Sequence, residues 1–260
     1  MLGSVLGCGG VMISLLVIIG LVGFLIAGFN NSEPTRSSRL PIPDNVPPAA
    51  ATPAPNIDIH QPGRTAESLA RWARGQAKHT GIPYQAVIAY GNAEVIVRET
   101  RPACGLTWNT LAGVGFVETR HGTYDGKRHG GSRLDHNGNA VPPIFGPRLD
   151  GKGFAKVEDT DGGRLDGDKE FDRAMGPMQF IPESWGRYGV DASGDGKVNP
   201  QNIDDAAAAA ARLLCDGNRN LRVPEDWVQA IRAYNQSDKY VRDVRDAAAS
   251  YAMGQSAVLR

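Results

Sequence analysis

The chain has 260 residues, 41% of them hydrophobic, and its 28 Lys+Arg balance its 28 Asp+Glu. That length gives one sizeable domain plus extensions. Zero formal net charge without a Lys/Arg run argues against a nucleic-acid partner, because phosphate contacts need clustered positive charge.

No side chain from Leu2 to Ser32 is charged, and VMISLLVIIGLVGFLIAGF within that stretch approaches the roughly 20 apolar residues that cross a bilayer. Residues 1–29 are read as an N-terminal transmembrane anchor, with a signal sequence as the alternative. A basic n-region and an A-x-A cleavage site are both missing. Cys8 precedes the apolar run instead of following it, which argues against a lipoprotein cysteine. Arg36 and Arg39 follow the run and, counted alone, place the bulk of the chain inside. Long domains, however, translocate largely regardless of charge. Outside the apolar segment only Cys104 and Cys215 occur, a pair that suits an exported disulfide; two unrelated buried thiols are the alternative. The expectation is a single-pass cell-membrane protein with its globular part on the extracytoplasmic side. Residues 30–62 include PIPDNVPPAAATPAP and few large apolar side chains, the composition of an extended, poorly ordered spacer.

Residues 63–254 read as the globular domain and 255–260 as a C-terminal tail. Helical patterns recur in RTAESLARWARGQAKHTG, YQAVIAYGNAEVIVRE, LTWNTLAGVGFVETRHG, IPESWGRYG, DDAAAAAARLLCDG, PEDWVQAIRAYN and DKYVRDVRDAAASYAM. Pro182 and Pro224 stand where first-turn prolines belong. VIVRE is the one segment that passes for a strand, and no series of strands follows, so the fold class is mainly α. Residues 123–173 are rich in Gly, Asp, His and Asn and too long for a simple connector; such loops are usually functional.

In the third pattern Leu111, Val114 and Glu118 fall at i, i+3 and i+7 and share one helical stripe. A glutamate near a helix end is ordinarily solvated or half of an ion pair, here with Arg120. On an apolar stripe it loses solvation instead, and its pKa rises. A helix C-terminus adds an unfavourable dipole for the anion, in the same direction.

GVGFVETRHG, AMGPMQFIPESWGRYGVDASGDGKVN and AIRAYNQSDKYV occur in that order. Together they resemble the lytic transglycosylases of peptidoglycan, of the membrane-bound murein transglycosylase B type. The Pro-rich tether and DTDGGRLDGD resemble the actinobacterial branch. The resemblance covers roughly residues 82–252. It implies a lysozyme-like α-helical fold with a glycan cleft, Glu118 as catalytic acid, Gln179 lining the sugar site, and Tyr234 and Asn235 near the cleaved bond. It further implies a single carboxylate that acts as acid and then as base. The C6 hydroxyl of N-acetylmuramic acid attacks its own anomeric carbon, leaving a 1,6-anhydro end without consuming water. Peptidoglycan glycan strands are the implied partner, and no cofactor is required.

Around these motifs Trp185 and Tyr188 are candidates for stacking on sugar rings, with core packing as the alternative. Phe180 reads mostly as core. Met175 and Met178 edge either the cleft or the core. Asp172 would be the second carboxylate of a hydrolase, or else a surface partner of Arg173. DASGDGKVNPQN fits an EF-hand calcium loop with Asp191, Ser193, Asp195 and the Lys197 carbonyl as ligands. Its twelfth position holds Asn202 in place of a bidentate acid, so the expectation is a weakly bound structural calcium or a metal-free turn. The resemblance implies an EF-hand-like loop at this place. The acidic stretch 159–172 lacks that spacing and reads as a solvated loop, and the histidines fit no zinc pattern, with His121 at most at the cleft edge. Two other functions remain open: a lysozyme-like hydrolase on the same fold, and a non-catalytic peptidoglycan-binding scaffold.

Overall fold

The structure, a computed structural model, describes residues 40–124, 131–153 and 155–258. Apart from Leu40 and Pro41 they belong to one compact unit that begins at Ile42. The anchor expected at residues 1–29 lies outside the described residues. Among the described residues no helix is long and apolar enough to cross a membrane.

Seven α-helices carry the fold: α1 (Ala70–Thr80), α2 (Tyr84–Thr100), α3 (Trp108–Thr119), α4 (Pro182–Tyr188), α5 (Ile203–Leu214), α6 (Pro224–Tyr234) and α7 (Asp238–Ala252). The mainly α expectation holds, and the local chemistry explains the boundaries. Gly81 closes α1 in the left-handed region, Pro182 and Pro224 open α4 and α6, and the Asn202 side chain caps α5 by accepting from the Asp204 and Asp205 amides. The alanine run Ala206–Ala211 is buried throughout, and its small side chains let α5 pack closely on α2. α3 crosses α7 at similarly short range: a Cβ on Gly113 would stand 2.7 Å from the Val244 carbonyl oxygen, so only glycine fits that crossing.

The long loop is more structured than its composition suggests. It holds two antiparallel ribbons, β1 (Arg133–Leu134) with β2 (Ala140–Val141) and β3 (Phe145–Arg148) with β4 (Arg173–Met175). Its acidic part satisfies its own backbone. Asp159 accepts from the amides of Asp161, Gly162 and Gly163, and Asp166 from those of Asp168 and Arg173. Asp168 pairs with Arg148 at 2.7 Å and with Arg173 at 3.1 Å. Of residues 159–172 only Asp166 and Asp172 are buried; the rest are exposed or half-buried.

The proline-rich stretch also differs from expectation. Residues 42–62 have no regular secondary structure but lie as a strap on the helical core, with Ala51 and Ala54 buried. The Ala51 amide donates to Asn109 Oδ1 at 3.0 Å and the Ala54 amide to Glu94 Oε2 at 2.9 Å. Trp108 Nε1 and Asn109 Nδ2 donate back to the carbonyls of Thr52 and Ala49. An extended chain cannot pair its own backbone, so buried side chains of α2 and α3 do so. Cys104, after α2, and Cys215, at the end of α5, form the disulfide. In the C-terminal tail Ala257 packs on the core.

Candidate active site

Glu118 sits one residue from the end of α3, half-buried, below the fully buried Leu111 and Val114 of the same stripe. Burial raises its carboxyl pKa from 4.5 to about 7, against the opposing pull of a hydrogen bond donated by the Tyr240 hydroxyl. Desolvation therefore wins. No charged carboxylate acts on it among the described residues. Arg120 does not pair with it; its guanidinium lies over the Phe116 ring, 4.2 Å from the centroid.

Two further elements complete the surroundings. At the end of α6, Tyr234 stacks edge-on with Phe180 at 5.6 Å, and its buried hydroxyl has no hydrogen-bond partner. Burial and the nearby Glu118 both push the Tyr234 phenol well above its usual pKa, as they do for Tyr240. Asn235 leaves the helix extended and exposed, and its Oδ1 accepts the Ser237 amide at 2.9 Å, turning the chain into α7 and setting Tyr240 beside Glu118. The third element is the tight turn Met175–Phe180, closed by reciprocal backbone bonds between those two residues. Gln179 lies in it at φ 50°, and its Nε2 donates to the Gly176 carbonyl at 2.9 Å. Thr119 ties the turn to α3: its hydroxyl donates to the Pro177 carbonyl at 2.6 Å.

Thus α3, the α6–α7 corner and the Gln179 turn bring Glu118, Tyr234 and Tyr240 together, with Gln179 on the adjoining turn. Other candidates lie elsewhere. Met175 is 0% exposed and Trp185 4%, so both pack the core, which corrects their reading as sugar contacts; Trp185 stacks on Phe180. Tyr188 is half-buried and spends its hydroxyl on Asp216 at 2.8 Å, next to the disulfide. Asp172 fits neither reading. It is buried, receives the Thr160 amide and hydroxyl, and makes no pair with Arg173, whose carboxylate partner is Asp168. A cavity of about 580 Å³ lined by Ile59, Val97, Arg101, Val190 and Arg212 is separate from the Glu118 surroundings.

The calcium loop is used differently from its pattern. Asp191 accepts from the Ser193 hydroxyl and the amides of Gly194 and Gly196, and Asp195 from that of Lys197. Asn202, at the twelfth position, faces the α5 amides as a cap and donates to the Asn137 carbonyl. Asp205, beyond the loop, receives the amides of Ala192, Ser193 and Asn199 and so closes it. Among the described residues no group of three His, Cys, Asp or Glu side chains is placed to hold a metal. The EF-hand reading is unsupported.

Sequence reasoning missed Tyr240, although it lay in a quoted motif. The signal was the spacing of Tyr240, Val244, Ala247 and Tyr251, all buried on the stripe of α7 that meets α3. It also placed His121 at a cleft edge, whereas His121 is buried, 3.1 Å from Tyr90 Oη and 2.7 Å from Tyr251 Oη.

Residues 171–218 match a family model described as "Transglycosylase SLT domain". The matched segment holds the Gln179 turn, α4 and α5 but neither Glu118 nor the α6–α7 corner. No curated protein matches the chain. Among solved structures, the Escherichia coli lytic transglycosylase SLT35 in complex with calcium is similar at 18% identity and a TM-score of 0.41, over 71% of this chain and 79% of that one. The same E. coli enzyme in complex with bulgecin A gives 18% identity, a TM-score of 0.40, and 71% and 78% coverage. Similarity of this degree supports no transfer of residue roles.

Proposed function

We propose that the chain is a lytic transglycosylase that cleaves the β-1,4 bond between N-acetylmuramic acid and N-acetylglucosamine in peptidoglycan, with Glu118 as its single acid and base. The observation that carries this reading is a half-buried carboxyl raised to about 7, hydrogen-bonded to Tyr240 and with no second carboxylate acting on it among the described residues. The match of residues 171–218 to a transglycosylase domain and the ordered motifs support it.

The steps follow from that acid. At neutral pH a carboxyl with this pKa is substantially protonated and can give its proton to the leaving glycosidic oxygen as the bond to the muramyl C1 breaks. The carboxylate left behind takes the proton of the C6 hydroxyl, whose oxygen closes on C1 to form the 1,6-anhydro ring. The acid is thereby restored, and water is neither consumed nor released. Tyr240 steadies the carboxylate between the two transfers. The Tyr234 hydroxyl is buried beside the acid without a partner, and Gln179 and Asn235 are the polar side chains this reading assigns to the sugar. In this account the cell wall is reached from a membrane anchor at residues 1–29, with the domain on the extracytoplasmic side. The disulfide supports an exported domain. No cofactor takes part.

The hydrolase alternative requires a carboxylate to activate water, and Asp172 is committed to Thr160. The scaffold alternative leaves the raised acid without a task. The test is release of muropeptides from purified peptidoglycan by the full-length chain and its Glu118→Gln variant. The variant should retain the parent's circular dichroism and lose about 10²–10⁴-fold in rate, the usual loss for a removed acid. Undiminished release would remove Glu118 from the mechanism.

A further inference from the structure

Of the four non-glycine residues with positive φ among the described residues, three lie around the acid: Arg120 (52°), His121 (61°) and Gln179 (50°). Arg120, His121 and Gly122 (81°) follow one another directly after α3. Left-handed backbone is unfavourable for L-residues with a Cβ, and a run of it persists only where surrounding structure holds it. Such outliers collect at functional sites.

The His121 side chain and the main chain around it both anchor this run. The ring lies in an aromatic nest with centroids 5.8 Å from Tyr90, 5.8 Å from Phe116 and 5.6 Å from Tyr251. Burial holds the imidazole neutral, with its pKa lowered to about 3. A neutral imidazole has one donor and one acceptor. One ring nitrogen therefore donates and the other accepts, with Nδ1 3.1 Å from Tyr90 Oη and Nε2 2.7 Å from Tyr251 Oη. The main chain adds a bond from the His121 amide to the Gly115 carbonyl at 2.8 Å, and Gly122 N donates to Thr119 Oγ1 at 2.8 Å. Tyr90 needs the space that Gly115 leaves, where a Cβ would stand 2.0 Å from its hydroxyl. Through Met178 the same tyrosine touches the Gln179 turn.

We infer that His121 is a positioning residue: clamped between Tyr90 and Tyr251, it holds the left-handed turn after α3 and so keeps the Glu118 carboxyl sealed against Tyr240 and Tyr234. It touches neither substrate nor the reacting atoms. The inference rests on Glu118 being the acid, yet its readout is independent of any reaction. The titratable and charged groups facing this region are Glu118 on α3, Arg120 directly after it, Tyr90 on α2, Tyr234 on α6, and Tyr240 and Tyr251 on α7.

The experiment is a carbon-13 NMR titration of the side-chain carboxyls in full-length protein labelled at glutamate, with Glu118 assigned by its loss in Glu118→Gln. In His121→Ala the Glu118 midpoint should fall by a unit or more as water enters. His121→Gln offers one donor and one acceptor to the same pair of tyrosines, and should restore most of that shift. If His121→Ala does not fold, the double variant Tyr90→Phe, Tyr251→Phe keeps the rings and removes only the hydroxyls, and should lower the midpoint likewise. On peptidoglycan the same variants should lose up to about 100-fold in kcat with KM little changed, as expected for a slightly misplaced acid. A Glu118 midpoint unmoved in a folded His121→Ala or in the double variant would overturn the inference. Failure of the transglycosylase reading would appear as missing product with the titration shifts intact.

Discussion

Burial that raises Glu118 to about 7 affects stability as well as chemistry. Between 4.5 and about 7 the folded state keeps a proton that the unfolded chain has lost. The contribution of a raised carboxyl is therefore fully present below about pH 4.5 and is lost as pH rises through 7. Glu118→Gln removes that dependence. The variant should be more stable than the parent at pH 8 by about 1–3 kcal/mol and nearly equal to it at pH 4, measured as urea unfolding midpoints. Glu94 and Asp204, also raised to about 7 by burial, titrate in both proteins, so the difference isolates Glu118. A variant no more stable at pH 8 would mean the carboxyl is not desolvated. The same titration sets the alkaline limb of activity, which should fall as pH passes about 7. The stripe that carries this residue was legible in the sequence as a local pattern, while its role as acid came from the resemblance. Asp172 was not legible, because its hydrogen bonds to Thr160 come from a loop fold that no periodicity announces.

Among the elements, the helices were the most legible part, since α1, α6 and α7 show their stripes in the order of the chain, whereas α2 is buried nearly all round and takes in VIVRE, the segment that passed for a strand. The strap 42–62 was not, because its order comes from polar side chains distant in sequence. Asn109 alone serves Ala49, Ala51 and the Ala248 carbonyl of α7. Asn109→Ala leaves buried backbone groups unpaired and should cost at least about 2 kcal/mol, at roughly 1–3 kcal/mol per orphaned group. Calorimetry checks this, and an unchanged Tm would show that the strap does not lean on Asn109. The loop 191–202 gives a third lesson at this scale. Metal ligation, turn formation and helix capping all draw on Asp, Asn and Ser, so a pattern that fits calcium for most of its length closes instead on its own amides and on Asp205.

At the scale of the molecule, the disulfide joins residues 111 apart in sequence, from the end of α2 to the end of α5. The cysteine count suggested the pair, and the structure places the two together. Closing so long a loop restricts the unfolded chain, and its removal typically costs 2–5 kcal/mol. The Cys104→Ser, Cys215→Ser variant should unfold at correspondingly lower urea than the oxidised parent, and a reduced parent should match it. Equal midpoints for oxidised and reduced protein would contradict that. The assembly of α3, the α6–α7 corner and the 175–180 turn into one site is a property of the whole fold. Three short motifs far apart in the chain anticipated it, whereas Tyr90 emerges only from the way α2 packs beside His121, and Tyr240, though spaced on a buried stripe, gains its role only where α7 meets α3.

The most direct test of the proposed chemistry is the mass of the muropeptides released from purified peptidoglycan by the full-length chain. Products lighter by one water than the hydrolytic muropeptides, ending in 1,6-anhydro-N-acetylmuramic acid and absent with Glu118→Gln, are the predicted result. Reducing-end muropeptides with one water added would contradict it and make the enzyme a hydrolase.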